Sequence, residues 1–178
     1  MGTAEATRRT AGRRALALAL LLGAVATGCA SDDRTAVDYQ GDYSAHEPLR
    51  VVGYPSRGSL EVVQKTVWSL ADGDADALAG LAAEDGGPAG ATARNWLAAF
   101  GKGAGGKVTA DFYDEGSTRQ VVVLYFEETG QKKDLEVRIG EDDAWGVTLA
   151  EADPAEARKQ PAWAPATPGA TGSRSPGN

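Results

Sequence analysis

The chain is poor in the residues that build covalent links and catalytic or metal centres. Its 178 residues include one cysteine, Cys29, and one histidine, His46. A single cysteine excludes an internal disulfide, and a single histidine far from the periodic part of the chain excludes a charge relay through a domain histidine. The acidic residues do not combine with these two at metal-ligand spacing, so we expect no metal and no cofactor.

A long apolar run and a positive surface are also missing. The apolar stretch Ala15–Ala26 has about twelve residues, whereas a membrane-spanning helix needs about twenty. The net charge is −7, and without residues 1–28, which hold four arginines and one glutamate, it becomes −10. An acidic chain lacks the basic footprint of nucleic-acid binders. We therefore expect no nucleic-acid partner and no broad electrostatic adhesion to anionic lipid.

The residues before Cys29 are typical of an export signal. Four arginines (Arg8, Arg9, Arg13 and Arg14) precede the apolar stretch, and small residues follow it. The run Ala26-Thr27-Gly28-Cys29 resembles the lipobox of bacterial lipoproteins. The resemblance implies a signal peptide over 1–28, a diacylglycerol on the sulfur of Cys29, and acyl chains that anchor the protein at the extracytoplasmic face of the cell membrane.

Two alternatives stay open for this segment. The chain is instead an ordinary secreted protein, cut near an Ala-x-Ala site, if Cys29 stays a free thiol. The pair Arg13-Arg14 loosely resembles a twin-arginine export signal, and the four arginines serve equally well as a general positive region.

Composition divides the rest of the chain into three parts. Residues 29–58 are mainly polar and predict a flexible tether, in which the apolar run 49–52 forms a strand or an extended docking segment. Residues 59–152 carry the periodic apolar residues of a folded domain. Residues 153–178 are rich in Pro, Ala, Gly, Ser and Thr and predict a disordered tail. Trp163 either pins this tail to the domain or is exposed to solvent, and we favour exposure.

Within 59–152, three helices precede four strands. Apolar residues at positions 60, 63, 67 and 70 share one helical face, and Ser59 is the predicted N-cap of that helix. Asp72-Gly73 ends it, and Asp74 caps the second helix. A third helix covers about 91–100 and ends at Gly101. Four turn-linked strands follow: residues 108–113 and 135–139 alternate with period two, and Trp145, Val147 and Leu149 form the last strand. Between the first two alternating segments, 121–126 is a near-continuous apolar run typical of a central strand covered on both faces. Helices followed by strands predict an α+β domain with a curved, four-stranded antiparallel sheet.

The segment from Trp68 to Leu78 (Trp-Ser-Leu-Ala-Asp-Gly-Asp-Ala-Asp-Ala-Leu) resembles the opening of the nuclear-transport-factor-like superfamily, which includes SnoaL-like proteins. The resemblance implies a cone-like fold over about 60–150, in which helices pack into the hollow of the sheet. Abundant Ala and Gly beside scarce Lys are typical of a GC-rich, actinobacterial genome. Because this fold hosts enzymes, binders and adaptors alike, the resemblance does not choose among functions.

Three residues are candidates for chemistry: Asp111, Tyr113 and Tyr125. Asp111 and Tyr113 share a strand face, opposite the apolar residues of that strand. Inside a cone they form a base and donor pair of the isomerase or cyclase type, acting on a hydrophobic substrate. On the outside they are ordinary surface residues, which is the interpretation that we favour.

The sequence therefore leads to a non-enzymatic lipoprotein that binds a protein partner or a small apolar ligand. A small cone-fold enzyme using Asp111 and a structural envelope spacer are the alternatives. An enclosed apolar pocket with convergent polar groups would distinguish the enzyme from the binding protein, because an enzyme needs such a pocket.

Overall fold

A computed structural model describes residues 37–38, 40–83, 89–113 and 116–170, which form an α+β domain. The predicted signal peptide, Cys29 and the end of the predicted tail lie outside the described residues. Helices and strands follow in this order: α1 (Gly41–Ala45), β1 (Arg50–Gly53), α2 (Arg57–Asp72), α3 (Ala75–Gly80), α4 (Ala89–Ala104), β2 (Val108–Tyr113), β3 (Arg119–Phe126), β4 (Gln131–Ile139), β5 (Trp145–Val147) and α5 (Pro154–Ala157).

The three predicted helices are present as α2, α3 and α4, with boundaries set by local hydrogen bonds. The α2 helix begins before the predicted cap Ser59, because the Ser56 hydroxyl accepts the Ser59 N–H at 3.1 Å and acts as the N-cap. It ends at Gly73, whose left-handed φ of 75° suits glycine. The predicted cap Asp74 is confirmed, since its carboxylate accepts the N–H groups of Asp76 and Ala77.

The predicted end of the third helix at Gly101 is wrong, because α4 continues to Ala104. A Cβ at Gly101 would lie 3.2 Å from the Leu70 carbonyl oxygen, and one at Gly103 would lie 2.9 Å from the Cβ of Phe126. These glycines let α4 approach α2 and β3 closely. Tertiary packing thus outweighs the low helix propensity of glycine.

The sheet has five described strands in the order β1-β2-β3-β4-β5, and it is mixed rather than wholly antiparallel. Strands β2 to β5 form the predicted antiparallel meander. Strand β1 adds a fifth strand, parallel to β2, with Val51 opposite Ala110. The prediction of four antiparallel strands is therefore wrong in count and direction. The run 49–52 finds its main-chain partners only where the helices return the chain to its side.

One face of the sheet packs against α2 and α4. Alternate residues of β2, β3 and β4 point to this face and join the apolar faces of the helices in the main core. The rings of Phe100 and Phe126 stack there with centroids 5.4 Å apart. The largest side chains that are completely buried in this core are Trp96, Phe100, Phe126, Leu70, Leu78, Leu124, Val62, Val63, Val122 and Val137.

The two flanking segments are more ordered than their composition predicts. The predicted tether 29–58 contains α1 and β1, and the predicted disordered tail contains α5. Beyond α5, Pro161 and Ala164 are buried and Trp163 is half-buried. The expectations of a flexible tether at 41–45 and a disordered tail at 153–170 are therefore wrong, whereas the strand that was one alternative for the run 49–52 is confirmed as β1. Both segments are ordered by groups on the domain that lie far from them in sequence.

Candidate functional site

The three candidate residues lie together on the face of the sheet that the helices do not cover. In the β2–β3 register, Asp111 is opposite Val123 and Thr109 is opposite Tyr125. The next residues along these strands, such as Ala110 and Leu124, point into the main core. Asp111, Tyr113 and Tyr125 therefore point away from the helices.

This second face is covered by the chain itself. We name residues 161–170 the C-terminal strap. Tyr113, Val123, Tyr125 and Ala164 form a second apolar cluster, and Trp163 packs against it. Asp111 is 4% exposed, Tyr113 8% and Tyr125 7%, so none of the three is an ordinary surface residue. The interpretation favoured from the sequence is wrong on this point: the residues face the strap, not solvent.

Asp111 holds one end of the strap. Its Oδ2 atom accepts the Gly169 N–H at 2.9 Å and the Tyr113 hydroxyl at 3.2 Å. Gly169 has a φ of 70°, and a Cβ there would lie 3.1 Å from the Cγ1 of Val52. A glycine therefore suits both the conformation and the space at this contact.

The middle of the strap is held through its carbonyl groups. The Tyr125 hydroxyl donates to the Pro165 carbonyl at 3.1 Å. The Lys132 ammonium donates to the carbonyls of Ala164 at 3.1 Å and Pro165 at 3.4 Å. All these acceptors belong to the main chain, so the contacts depend little on the side chains of the strap.

Trp163 supplies the main side-chain contact of the strap. Its indole N–H donates to Asp134 Oδ2 at 3.1 Å, and its ring meets the Tyr113 ring edge-on, with centroids 5.3 Å apart. Such an arrangement combines an apolar contact with a directed polar one. The favoured expectation that Trp163 is exposed to solvent is therefore wrong, and the alternative, that it pins the tail to the domain, is confirmed.

The surroundings of Tyr125 favour its protonated form. Burial, together with the neighbouring Tyr113 and Asp111, raises the pKa of Tyr125 well above its usual value. A phenol that stays protonated at neutral pH is a hydrogen-bond donor and not a base. In the structure its proton is directed at a strap carbonyl, the role that a donor in an oxyanion site would otherwise perform.

A second polar group, missed from the sequence, lies on the helix-covered face. Lys133 is 4% exposed, its ammonium pairs with Glu151, and it lies 4.8 Å from the ring centroid of Trp96. Glu151 also accepts the Trp96 indole N–H at 3.1 Å. These residues line a cleft of about 230 Å³. The strand alternation could have indicated this position, since Lys133 lies on the same face of β4 as the buried Leu135.

The only histidine fastens α1 to α2. The His46 ring stacks on Trp68, with centroids 5.0 Å apart; Nδ1 lies 2.9 Å from the Asp42 carbonyl oxygen and Nε2 lies 2.9 Å from Asp72 Oδ2. Burial alone lowers the pKa of His46, but these acceptors and the nearby carboxylate charges outweigh it and raise that pKa. His46 thus belongs to a structural contact rather than to the strap-covered face.

The described residues contain no group of three or more His, Cys, Asp or Glu side chains arranged to hold a metal ion. Within the same ranges, no helix combines the length and the apolar character needed to cross a bilayer. No protein-family model, curated protein or solved structure matches the chain.

Proposed function

We propose that the protein is a lipid-anchored, extracytoplasmic domain that binds a partner and does not act as an enzyme. The anchor rests on the lipobox-like run that ends at Cys29, since lipid on that sulfur would hold an acidic domain at a surface to which its charge does not attract it. Acyl chains differ from a spanning helix in that they leave the whole domain in water.

The observation that supports binding is how Asp111 and Tyr125 are used. A catalytic base must reach its substrate, whereas Asp111 accepts a main-chain N–H and Tyr125 donates to a main-chain carbonyl. Both groups hold a segment of turns and bends that has no helix or strand. This use of side chains matches peptide recognition better than proton transfer.

We further propose that the domain is a small variant of the cone-like fold. Supporting this proposal, helices α2 to α4 come before the meander, α2 and α4 pack on one face of it, and the Gly73 turn with its Asp74 cap joins α2 to α3. The face next to the helices holds Trp96, Phe100 and Phe126, which are almost completely buried. Packing of this kind favours a binding surface elsewhere on the domain over a ligand inside the cone.

One group of side chains supports a second candidate function, a small enzyme. Asp111, Tyr113 and Tyr125 together offer an acceptor and two phenols in a dry environment, as an isomerase-like site needs. That enzyme would require the strap to leave the site during each turnover. Access to Asp111, tested below, separates this candidate from the binding domain.

The anchor is tested by exchanging Cys29 for alanine in the full chain. We expect the wild type in the membrane fraction, with labelled palmitate attached, and Cys29→Ala in the soluble fraction without label. Thr35→Ala, a change in the same predicted tether, is the matched control and should stay in the membrane fraction. A Cys29→Ala protein that remains with the membrane would contradict the proposed anchor.

A further inference from the structure

The surface beneath the strap has the form of a recognition site. We name as the sheet groove the residues that contact the strap: Asp111, Tyr113, Val123, Tyr125, Lys132 and Asp134. Its floor is apolar, with Val123 completely buried. Its polar groups are a carboxylate at one end, and an ammonium and a second carboxylate at the other.

We propose that the sheet groove is a binding site for a proline-rich peptide segment that carries a tryptophan on a partner protein. The C-terminal strap is then a built-in occupant that keeps the site closed until such a segment competes with it. The proposal rests on the binding function proposed above and names the chemistry of the partner and its control.

The first argument is that the groove forms its hydrogen bonds with main-chain groups of the segment it holds. Asp111 accepts an N–H, while Tyr125 and Lys132 donate to carbonyls. Contacts to the main chain give affinity for any segment of the same backbone conformation. A segment from another chain can therefore make the same hydrogen bonds as the strap.

The second argument is the composition of the occupant. Pro161, Pro165 and Pro168 lack an N–H and have a restricted φ, so such a segment loses little conformational entropy when it binds. It also cannot continue the ladder of a sheet, which leaves its carbonyls for side-chain donors. Tyrosine-lined surfaces are a common way of recognising segments of this kind.

The third argument is the anchor residue. Trp163 contacts Tyr113 with its ring and Asp134 with its indole N–H. Tryptophans in such positions commonly dominate the energy of an interface. The groove thus selects for a tryptophan two residues before a proline, as in the strap, where Trp163 precedes Pro165.

The fourth argument is that the strap is replaceable. Residues 158–160, which join it to α5, are exposed, and Trp163 is only half-buried. Because this connection is short, the strap has an effective concentration of about 1 mM at the groove. A competing segment therefore binds weakly while the strap is intact and strongly when the strap is loosened.

The test uses a synthetic, fluorescently labelled peptide of residues 159–170, Lys-Gln-Pro-Ala-Trp-Ala-Pro-Ala-Thr-Pro-Gly-Ala. Fluorescence anisotropy follows its binding to the purified full chain. We expect binding to Trp163→Ala to be about tenfold tighter than to the wild type, because the strap then competes less well for the groove. Tyr54→Ala, which removes an aromatic side chain that is 93% exposed, should behave as the wild type.

A second strap variant controls for the case in which the strap stays bound even without its tryptophan. Gly169→Val places a branched side chain at a φ of 70° and against Val52, and so releases the end held by Asp111. Combined with Trp163→Ala it should bind the peptide at least as well as the single variant. Adding Asp134→Ala to Trp163→Ala should weaken peptide binding by about tenfold, through loss of the indole acceptor.

Absence of peptide binding to both strap variants, with their folding confirmed by circular dichroism, would overturn the proposal. Equal binding of a peptide with alanine in place of its tryptophan would overturn the assigned anchor. A wild-type dimer that forms with rising concentration and dissociates on adding the peptide would assign the groove to a second copy instead of another protein. Because the titration uses purified protein, its outcome is independent of the membrane test of Cys29.

Discussion

The two faces of the sheet are covered in different ways. On one face, α2 and α4 bury a continuous set of apolar side chains from three strands. On the other, a strap of ten residues without regular secondary structure lies over two tyrosines, a valine and several charged groups. The first face is held by apolar area and packing, and the second largely by directed hydrogen bonds around one aromatic contact.

Because of this difference, one face mainly stabilises the fold, and the other is available for binding. Burial of apolar area scales with the number of residues removed from water, and the helix-covered face removes many more. Hydrogen bonds contribute less net free energy, since water replaces them when they break. The helix-covered face therefore belongs to the global folding unit, whereas the strap-covered face is suited to local opening.

The largest expected effect compares one tryptophan from each face. Trp96 is 1% exposed and packs in the main core, so Trp96→Ala should lower the free energy of unfolding by about 3 to 5 kcal/mol. Trp163→Ala should lower it by about 1 to 2 kcal/mol, for one ring contact and one hydrogen bond. Urea midpoints of the two variants measure the difference. Equal losses would mean that the strap is part of the global folding unit.

A smaller effect concerns access to Asp111. Carbodiimide labelling with an amine modifies exposed carboxylates, and mass spectrometry of the peptides locates the label. We expect Asp111 to react at least about tenfold more slowly than the exposed Asp76, because its reaction must wait for local opening of the strap. Trp163→Ala should speed the labelling of Asp111 and leave that of Asp76 unchanged.

The two candidate functions differ in this measurement. A binding domain whose strap closes the groove predicts slow labelling in the wild type. If the two aspartates react at the same rate in the wild type, the strap opens freely. The enzyme that uses Asp111 would then be the better proposal.

The smallest expected effect tests a polar attachment on the helix side. His46 has an acceptor at each ring nitrogen, so only the doubly protonated ring donates to both the Asp42 carbonyl and Asp72. The charged groups around it are Asp42, Asp72 and Lys65. The lowered pKa of Asp42 keeps its carboxylate charged above about pH 5.

Because the folded-state pKa of His46 is raised, its contribution to stability is complete below the unfolded value of about 6.5. That contribution is lost as the pH rises through the raised folded pKa. The free energy of unfolding of the wild type should therefore exceed that of His46→Gln by up to about 1 kcal/mol at pH 5.5, and by less at pH 8.5. A difference that grows with pH would contradict this assignment of His46.

Local patterns in the sequence predicted much of the domain. The helical spacing of apolar residues in α2, the glycine that ends it, and the alternation in β2 and β4 each concern residues that are close in sequence. The same alternation predicted that Asp111 and Tyr113 share a face opposite the apolar one. Helix ends were predicted less well, as Gly101 shows, because the approach of α4 to α2 is a tertiary constraint.

The sequence by itself determined the order of elements, the apolar face of each, and the grouping of Asp111 with Tyr113, because these follow from the periods of helix and strand. Only the tertiary structure decided that β1 lies parallel to β2 and that a proline-rich strap covers Asp111, Tyr113 and Tyr125. The strap has no apolar period of its own. Its order comes from hydrogen bonds to Asp111 and Asp134, which are 58 and 29 residues away in sequence. Such partners meet only after the sheet has formed.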